Sequence, residues 1–85
     1  MLIAREGDWL SATIGEEVVM MSATSGEYIG LNSVGSRIWE LIEQPRDIGE
    51  LCTCLEAEFD IAPADCAREV EGFLTELEQH RAIRR

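Results

Sequence analysis

The sequence predicts an α+β domain in which a three-stranded antiparallel sheet is followed by three helices. Three observations carry this expectation. Up to Leu31 the apolar residues alternate, or cluster in short β-branched runs between turn signals. From Ser33 onward they recur at helical spacing. Between Tyr28 and Leu41 the first pattern passes into the second with almost no loop, because Asn32 is placed to cap the helix that follows. Residues 1–85 read as one small domain, with a core near the lower limit for independent folding.

Residues 1–8 read as a loose lead-in, with at most a short extended piece at Leu2-Ile3. Trp9–Ile14 alternates, with Leu10, Ala12 and Ile14 on one face, and is the first strand. Gly15-Glu16 is a turn, and Glu17–Ser22, with its Val-Val pair, is the second strand. Thr24-Ser-Gly-Glu27 is a hairpin turn in which Gly26 supplies a positive φ. Tyr28–Leu31 is the third strand, with Ile29 and Leu31 toward the core and Tyr28 and Gly30 outward.

The first helix is expected from Ser33 to Glu43, with Val34, Ile38, Trp39, Leu41 and Ile42 as its apolar stripe. Pro45 cannot continue it and biases Gln44 away from the helical region. Asp47-Ile-Gly-Glu50 forms a capping box for a second helix, whose buried face is Ile48, Leu51, Cys52, Leu55 and Phe59. Pro63 sits in the first turn of a third helix that runs to Gln79 and buries Cys66, Val70, Phe73, Leu74 and Leu77. Arg81, Arg84 and Arg85 follow where cations favour a helix C-terminus.

Charge narrows the function. Seventeen acidic residues stand against seven Arg and no Lys, for a net charge of −10. Nucleic-acid binding depends on basic side chains displacing counterions from phosphates, so this surface repels a phosphate backbone and an anionic membrane alike. A basic or amphipathic polypeptide is the better-matched partner, although such charge also simply keeps a small protein soluble. No apolar run approaches the roughly 20 residues that span a bilayer. The first residues carry early charges and no long apolar core of a signal peptide, so the expected location is the cytoplasm. Three Cys is an odd number without a secretory signal, which argues against a disulfide framework.

Catalytic and metal motifs are thin. Cys52 and Cys54 diverge by about 200° on a helix, and three Cys with one His fall short of a structural zinc set. His80, the sole His, lies after the third helix and reads as solvent-facing, without a nucleophile beside it. Phosphate-binding glycine loops are absent; Gly30 and Gly35 are not followed by Gly-Lys. The expectation is a protein that is no enzyme and holds no cofactor or metal. The helices carry no basic recognition face, so a winged-helix DNA-binding or regulatory domain is the disfavoured alternative.

The stretch Glu27-Tyr-Ile-Gly-Leu-Asn-Ser-Val-Gly-Ser-Arg-Ile-Trp-Glu-Leu-Ile42 resembles the PqqD-like family, in which a Gly-x-Tyr segment leads into Leu-Asn-x-x-Gly-x-x-Ile-Trp-x-Leu. Asp47–Phe59 and Cys66–Leu77 resemble the family's second and third helices, so the likeness spans residues 9–83. The family is the RiPP recognition element, a winged-helix-like domain that binds the leader of a ribosomally made precursor peptide. In it the leader adds as a further strand beside the third strand, in a groove lined by the third helix. Carried over, the resemblance implies that Glu27, Tyr28, Ile29, Gly30 and Leu31 pair with the peptide. It also implies that Cys66, Glu69, Phe73 and Glu76 wall the groove, with the opposite helix edge, at Ala67 and Leu74, as the alternative. Glu69 stands where the family often has Asp.

Gly30 is expected to let the peptide backbone or a bulky side chain approach closely. The implied partners are a leader peptide and a separate maturation enzyme, foremost the leader peptidase of a lasso-peptide pathway. A chaperone for a radical-SAM enzyme is the sibling reading, and a homodimer pairing its own third strands is the third.

Overall fold

The computed structural model describes residues 1–15 and 17–85. Its elements run β1 (Ala4–Arg5), β2 (Trp9–Ile14), β3 (Glu17–Ser22), β4 (Tyr28–Leu31), α1 (Ser33–Leu41), α2 (Ile48–Phe59), α3 (Pro63–Gln79) and β5 (Ile83–Arg84). Strands β2, β3 and β4 form an antiparallel meander in that order. The three-strand, three-helix plan is therefore the one expected from the sequence. The expected turn at Gly15-Glu16 lies partly outside the described residues, and Gly15 itself has φ +66°.

Each junction follows from local chemistry. Asn32 has extended backbone and its Oδ1 accepts from the Gly35 N–H at 2.8 Å, so α1 starts directly after β4. Helix α1 stops at Leu41, two residues short of expectation, where Arg46 Nε caps the Leu41 carbonyl at 2.6 Å. Asp47 and Glu50 form the capping box of α2. That helix ends in left-handed Asp60, and Pro63 opens α3.

The core lies on one face of the sheet. Met20, Ile29 and Leu31 pack there against Ile38, Trp39 and Ile42 of α1, Leu51 and Leu55 of α2, and Val70, Leu74 and Leu77 of α3. Each fully buried side chain of this size contributes about 1.5–3 kcal/mol. Among the described residues, no buried side-chain nitrogen or oxygen lacks a partner.

Both chain ends depart from expectation. The lead-in is anchored: Ile3 is buried, and it exchanges backbone hydrogen bonds with Arg46 at 2.6 and 3.1 Å. Strand β1 pairs with β5 in a second, two-stranded sheet. Arg5 lies over the Trp39 ring, 4.2 Å from its centroid, and donates to the Trp39 carbonyl. After α3 the chain reverses at left-handed Arg81, so Arg84 belongs to a strand rather than to a helix terminus. Arg85 folds back to Glu71 and Glu78.

The apolar face of β2 is also oriented differently from a core-facing strand. Only Trp9 is buried, whereas Leu10, Ala12 and Ile14 face solvent.

Candidate functional site

Strand β4 forms one edge of the meander, and its hydrogen bonding follows from the hairpin. The Ser22 N–H donates to the Glu27 carbonyl at 3.0 Å, and Gly26 N–H to the Ser22 carbonyl at 2.8 Å. With Met20 opposite Ile29 and Val18 opposite Leu31, antiparallel alternation aims the Ile29 and Leu31 main-chain groups at β3. The N–H and C=O groups of Tyr28 and Gly30 are therefore the ones that point to the open edge. Such an edge is a template for a further strand.

Helix α3 runs back alongside this edge. At one end His80 Nδ1 lies 2.8 Å from Glu27 Oε2. At the other, the start of α1 meets α3, so closely that a Cβ on Gly35 would stand 3.2 Å from the Phe73 ring. The rise from Phe73 to His80 is about 10 Å, which matches the about 10 Å length of Tyr28–Leu31. Glu76 lies between these two ends. A cleft of about 290 Å³ is bounded by residues that include Asn32, Gly35, Arg68, Glu69, Phe73 and Glu76.

The opposite end of β4 is braced from the side. Asp8 accepts from Ser22 Oγ at 2.8 Å, Thr24 N–H at 2.8 Å and Thr24 Oγ1 at 2.6 Å. These donors, Thr24 Oγ1 foremost, hold the Asp8 carboxyl down at about 2. Trp9 packs edge-on against His80 with ring centroids 6.2 Å apart. The hydrogen bond from His80, and then that from Ser25, lowers the Glu27 carboxyl below its usual range. A second cleft, of about 420 Å³, opens at this end beside Trp9, Glu27, Gln79 and His80.

The residues expected from the sequence divide accordingly. Tyr28 and Gly30 offer main chain at the edge, while Ile29 and Leu31 are buried and hold the strand to the core. Glu27 is tied to His80. Glu69, Phe73 and Glu76 line the cleft together. Cys66 does not join them: it is 1 % exposed, and its thiol points at the Cys52 carbonyl 3.9 Å away, because its turn of α3 packs on α2. On the opposite edge, Leu74 is fully buried.

Gly30 faces outward, as the alternation predicts. A Cβ there would meet nothing within 4 Å. Since it alternates with inward Ile29 and Leu31, a side chain at 30 would stand on the outer sheet face, beside an added strand and not in its path. His80, read from the sequence as solvent-facing, is instead half-buried and closes the end of the groove. Gly35 was legible only indirectly, as a glycine placed against helix propensity where another helix approaches.

The site is acidic. Among the described residues, Arg37, Arg46, Arg68 and Arg85 each pair with a carboxylate, whereas Glu69 and Glu76 form no ion pair. Cys52, Glu56 and Cys66 place one ligand atom each within 4.8 Å of one another. Burial and the neighbouring Cys52 push the Cys66 thiol up to about 11, so these groups favour a protonated thiol over a metal-ready thiolate. No helix among the described residues is long and apolar enough to cross a membrane.

Comparison with known proteins adds two kinds of likeness. The family model described as Coenzyme PQQ synthesis protein D (PqqD) matches residues 17–83. The structure of TbiB1 in complex with the TbiA(beta) leader peptide superimposes with a TM-score of 0.82 at 31 % identity, over 94 % of this chain and 93 % of that one. A lasso peptide synthetase B1 complexed with the leader peptide superimposes with a TM-score of 0.84 over 98 % of each chain. Its 18 % identity makes that a likeness of fold. No curated protein matches significantly.

Proposed function

Because this chain belongs to the PqqD family, we propose that it is a leader-peptide recognition protein that binds a ribosomally made precursor and presents it to a separate enzyme. The observation that carries this reading is the open β4 edge, with the main-chain groups of Tyr28 and Gly30 outward and α3 running alongside in the opposite direction, in contact near both ends of the strand. An extended peptide laid there satisfies those groups, each net hydrogen bond contributing about 0.5–1.5 kcal/mol. Such bonds are blind to sequence. Selectivity then falls to alternate peptide side chains, which enter the cleft between Asn32 and the Glu69–Phe73–Glu76 stripe. Phe73 offers an apolar contact, and Glu69 and Glu76 favour leaders that carry Lys or Arg.

The protein catalyses nothing in this reading and acts in the cytoplasm, where precursors are made. The enzyme served is the leader peptidase of a lasso-peptide pathway, of the transglutaminase-like cysteine protease type. The TbiB1 complex, matched at 31 % identity over nearly the whole chain, supports leader binding, and the fold shared with a lasso peptide synthetase B1 makes the lasso pathway the leading choice. The name of the family model favours the sibling reading, a peptide chaperone for a radical-SAM enzyme of quinone-cofactor synthesis.

The test is fluorescence polarisation with labelled leader peptides taken from short open reading frames beside the gene, with a DNA duplex as control. Saturable peptide binding at roughly micromolar Kd, about −8 kcal/mol, is expected. Binding to the duplex with no response to any leader would refute it.

A further inference from the structure

The outer face of the sheet is largely apolar, and none of the described residues covers Leu10, Ile14 or Tyr28. Cross-strand register aligns Leu10, Met21 and Tyr28 in one row, and Ala12, Val19 and Gly30 in the next. Leu10, Ile14 and Tyr28 are 65 %, 67 % and 70 % exposed. An antiparallel sheet with one solvated face ordinarily turns its polar residues outward. Strand β2 does the reverse. Its Ser11 and Thr13 share the core side with Trp9, and its Leu10, Ala12 and Ile14 point away from the protein's own core. The apolar phase of this strand therefore serves no internal packing. A row spanning three strands covers about 10 Å across the sheet. Contiguous exposed apolar surface of this kind marks an interaction site.

Charge selects the occupant. None of β2, β3 and β4 carries an Arg or Lys, and the chain as a whole stands at −10. Glu17, at the corner beside Ile14, adds an acidic edge. A second copy would bring the same −10 against itself, whereas a surface with an apolar centre and a basic rim is complementary. Position makes the same selection. Tyr28 contributes its side chain to this face and its main chain to the β4 edge. A protein seated on the face is thus flush with any strand added at that edge.

We propose that the outer face of the β2–β3–β4 sheet, centred on Leu10, Met21 and Tyr28, docks the leader peptidase through an apolar patch with a basic rim. This rests on the recognition reading above and adds a second, separate surface to it. Peptide in the groove and enzyme on the sheet then meet along β4.

The test uses the full chain and the purified leader peptidase encoded beside the gene, in biolayer interferometry without leader, next to leader polarisation on the same samples. The variant is Leu10→Ser with Ile14→Ser, both exposed, with thermal melts confirming the fold. The expected result is unchanged leader affinity with enzyme affinity lowered about tenfold or more, and wild-type enzyme binding that weakens with salt. Equal enzyme binding by wild type and variant, or no enzyme binding by the wild type, overturns the docking proposal while leader binding stands. Sedimentation velocity of the protein alone reads the rival occupant: a dimer that the variant dissolves also overturns it. Failure of the wild type to bind any leader refutes the recognition reading and is read in a different channel.

Discussion

Replacing Gly30 by proline separates the open-edge geometry from every other way of holding a peptide. The Gly30 N–H points away from β3, so proline removes no bond from the β3–β4 ladder. An edge strand tolerates proline when its N–H faces solvent. Ile29, the preceding residue, is already extended, as a residue before proline prefers. The fold should therefore persist. The incoming strand loses one donor, about 0.5–1.5 kcal/mol, which is about 2- to 12-fold in Kd. The ring also stands where the partner strand must approach to about 4.8 Å, so the measured loss should reach or exceed the top of that range. Gly30→Ala is the control, because its Cβ meets nothing within 4 Å and its N–H is retained. Leader polarisation and a circular-dichroism melt read the two effects apart. A folded Gly30→Pro protein with wild-type leader affinity would mean that the peptide does not pair with β4.

Other perturbations probe separate parts of the structure. Glu69→Gln with Glu76→Gln should weaken a Lys- or Arg-bearing leader by up to about 1 kcal/mol per exposed pair and flatten the salt dependence of binding; unchanged affinity at low salt counts against an electrostatic role. Trp39→Ala should act on stability, costing about 3–5 kcal/mol in denaturant unfolding, because Trp39 is 3 % exposed and supports Arg5. The Asp8 carboxyl is depressed to about 2, so its support of the β3–β4 turn is present above its ordinary value near 4 and is lost as pH falls through about 2. Wild type and Asp8→Asn should therefore differ in melting temperature at pH 6, and the difference should shrink as pH falls from about 4 toward about 2. Cys66, raised to about 11, works in the opposite sense: its contribution is full below about 9 and is lost as pH rises through about 11. Cys66→Ala should accordingly flatten the alkaline limb of the melting profile.

Signals that live in a few neighbouring residues could be read directly. Asn32, and Asp47 with Glu50, set their helix starts through side-chain bonds within one turn, Pro63 sets its own through its fixed φ, and each stands where expected. The Tyr28–Leu31 alternation gave the correct faces because its strand has one buried side. Strands β1 and β5 were missed because two residues carry no period, and their pairing joins opposite ends of the sequence. Alternation in β2 marked a strand but could not say which face meets the core. Cys66 was placed in the groove by helical spacing, yet which edge of α3 faces α2 depends on a crossing that no single helix encodes. His80 gained its role from Glu27, 53 residues away.

The β1–β5 pairing bears on how the groove is assembled. Ala4 with Arg84 and Arg5 with Ile83 are contacts between residues far apart in the chain, and closing such a loop costs conformational entropy that few local bonds offset. This clasp is expected to close late in folding and open first in native fluctuations. The Glu6 N–H, bonded to the Ala82 carbonyl, and the Ala82 N–H, bonded to the Leu77 carbonyl, should then exchange with solvent together and ahead of the α3 interior. His80 caps the last turn of α3, so each opening of the clasp frees one end of the groove. Deuterium uptake at Glu6, Ala82 and His80 would reveal a binding site whose rigidity is set at the far ends of the sequence; early protection at Glu6 and Ala82 would refute it.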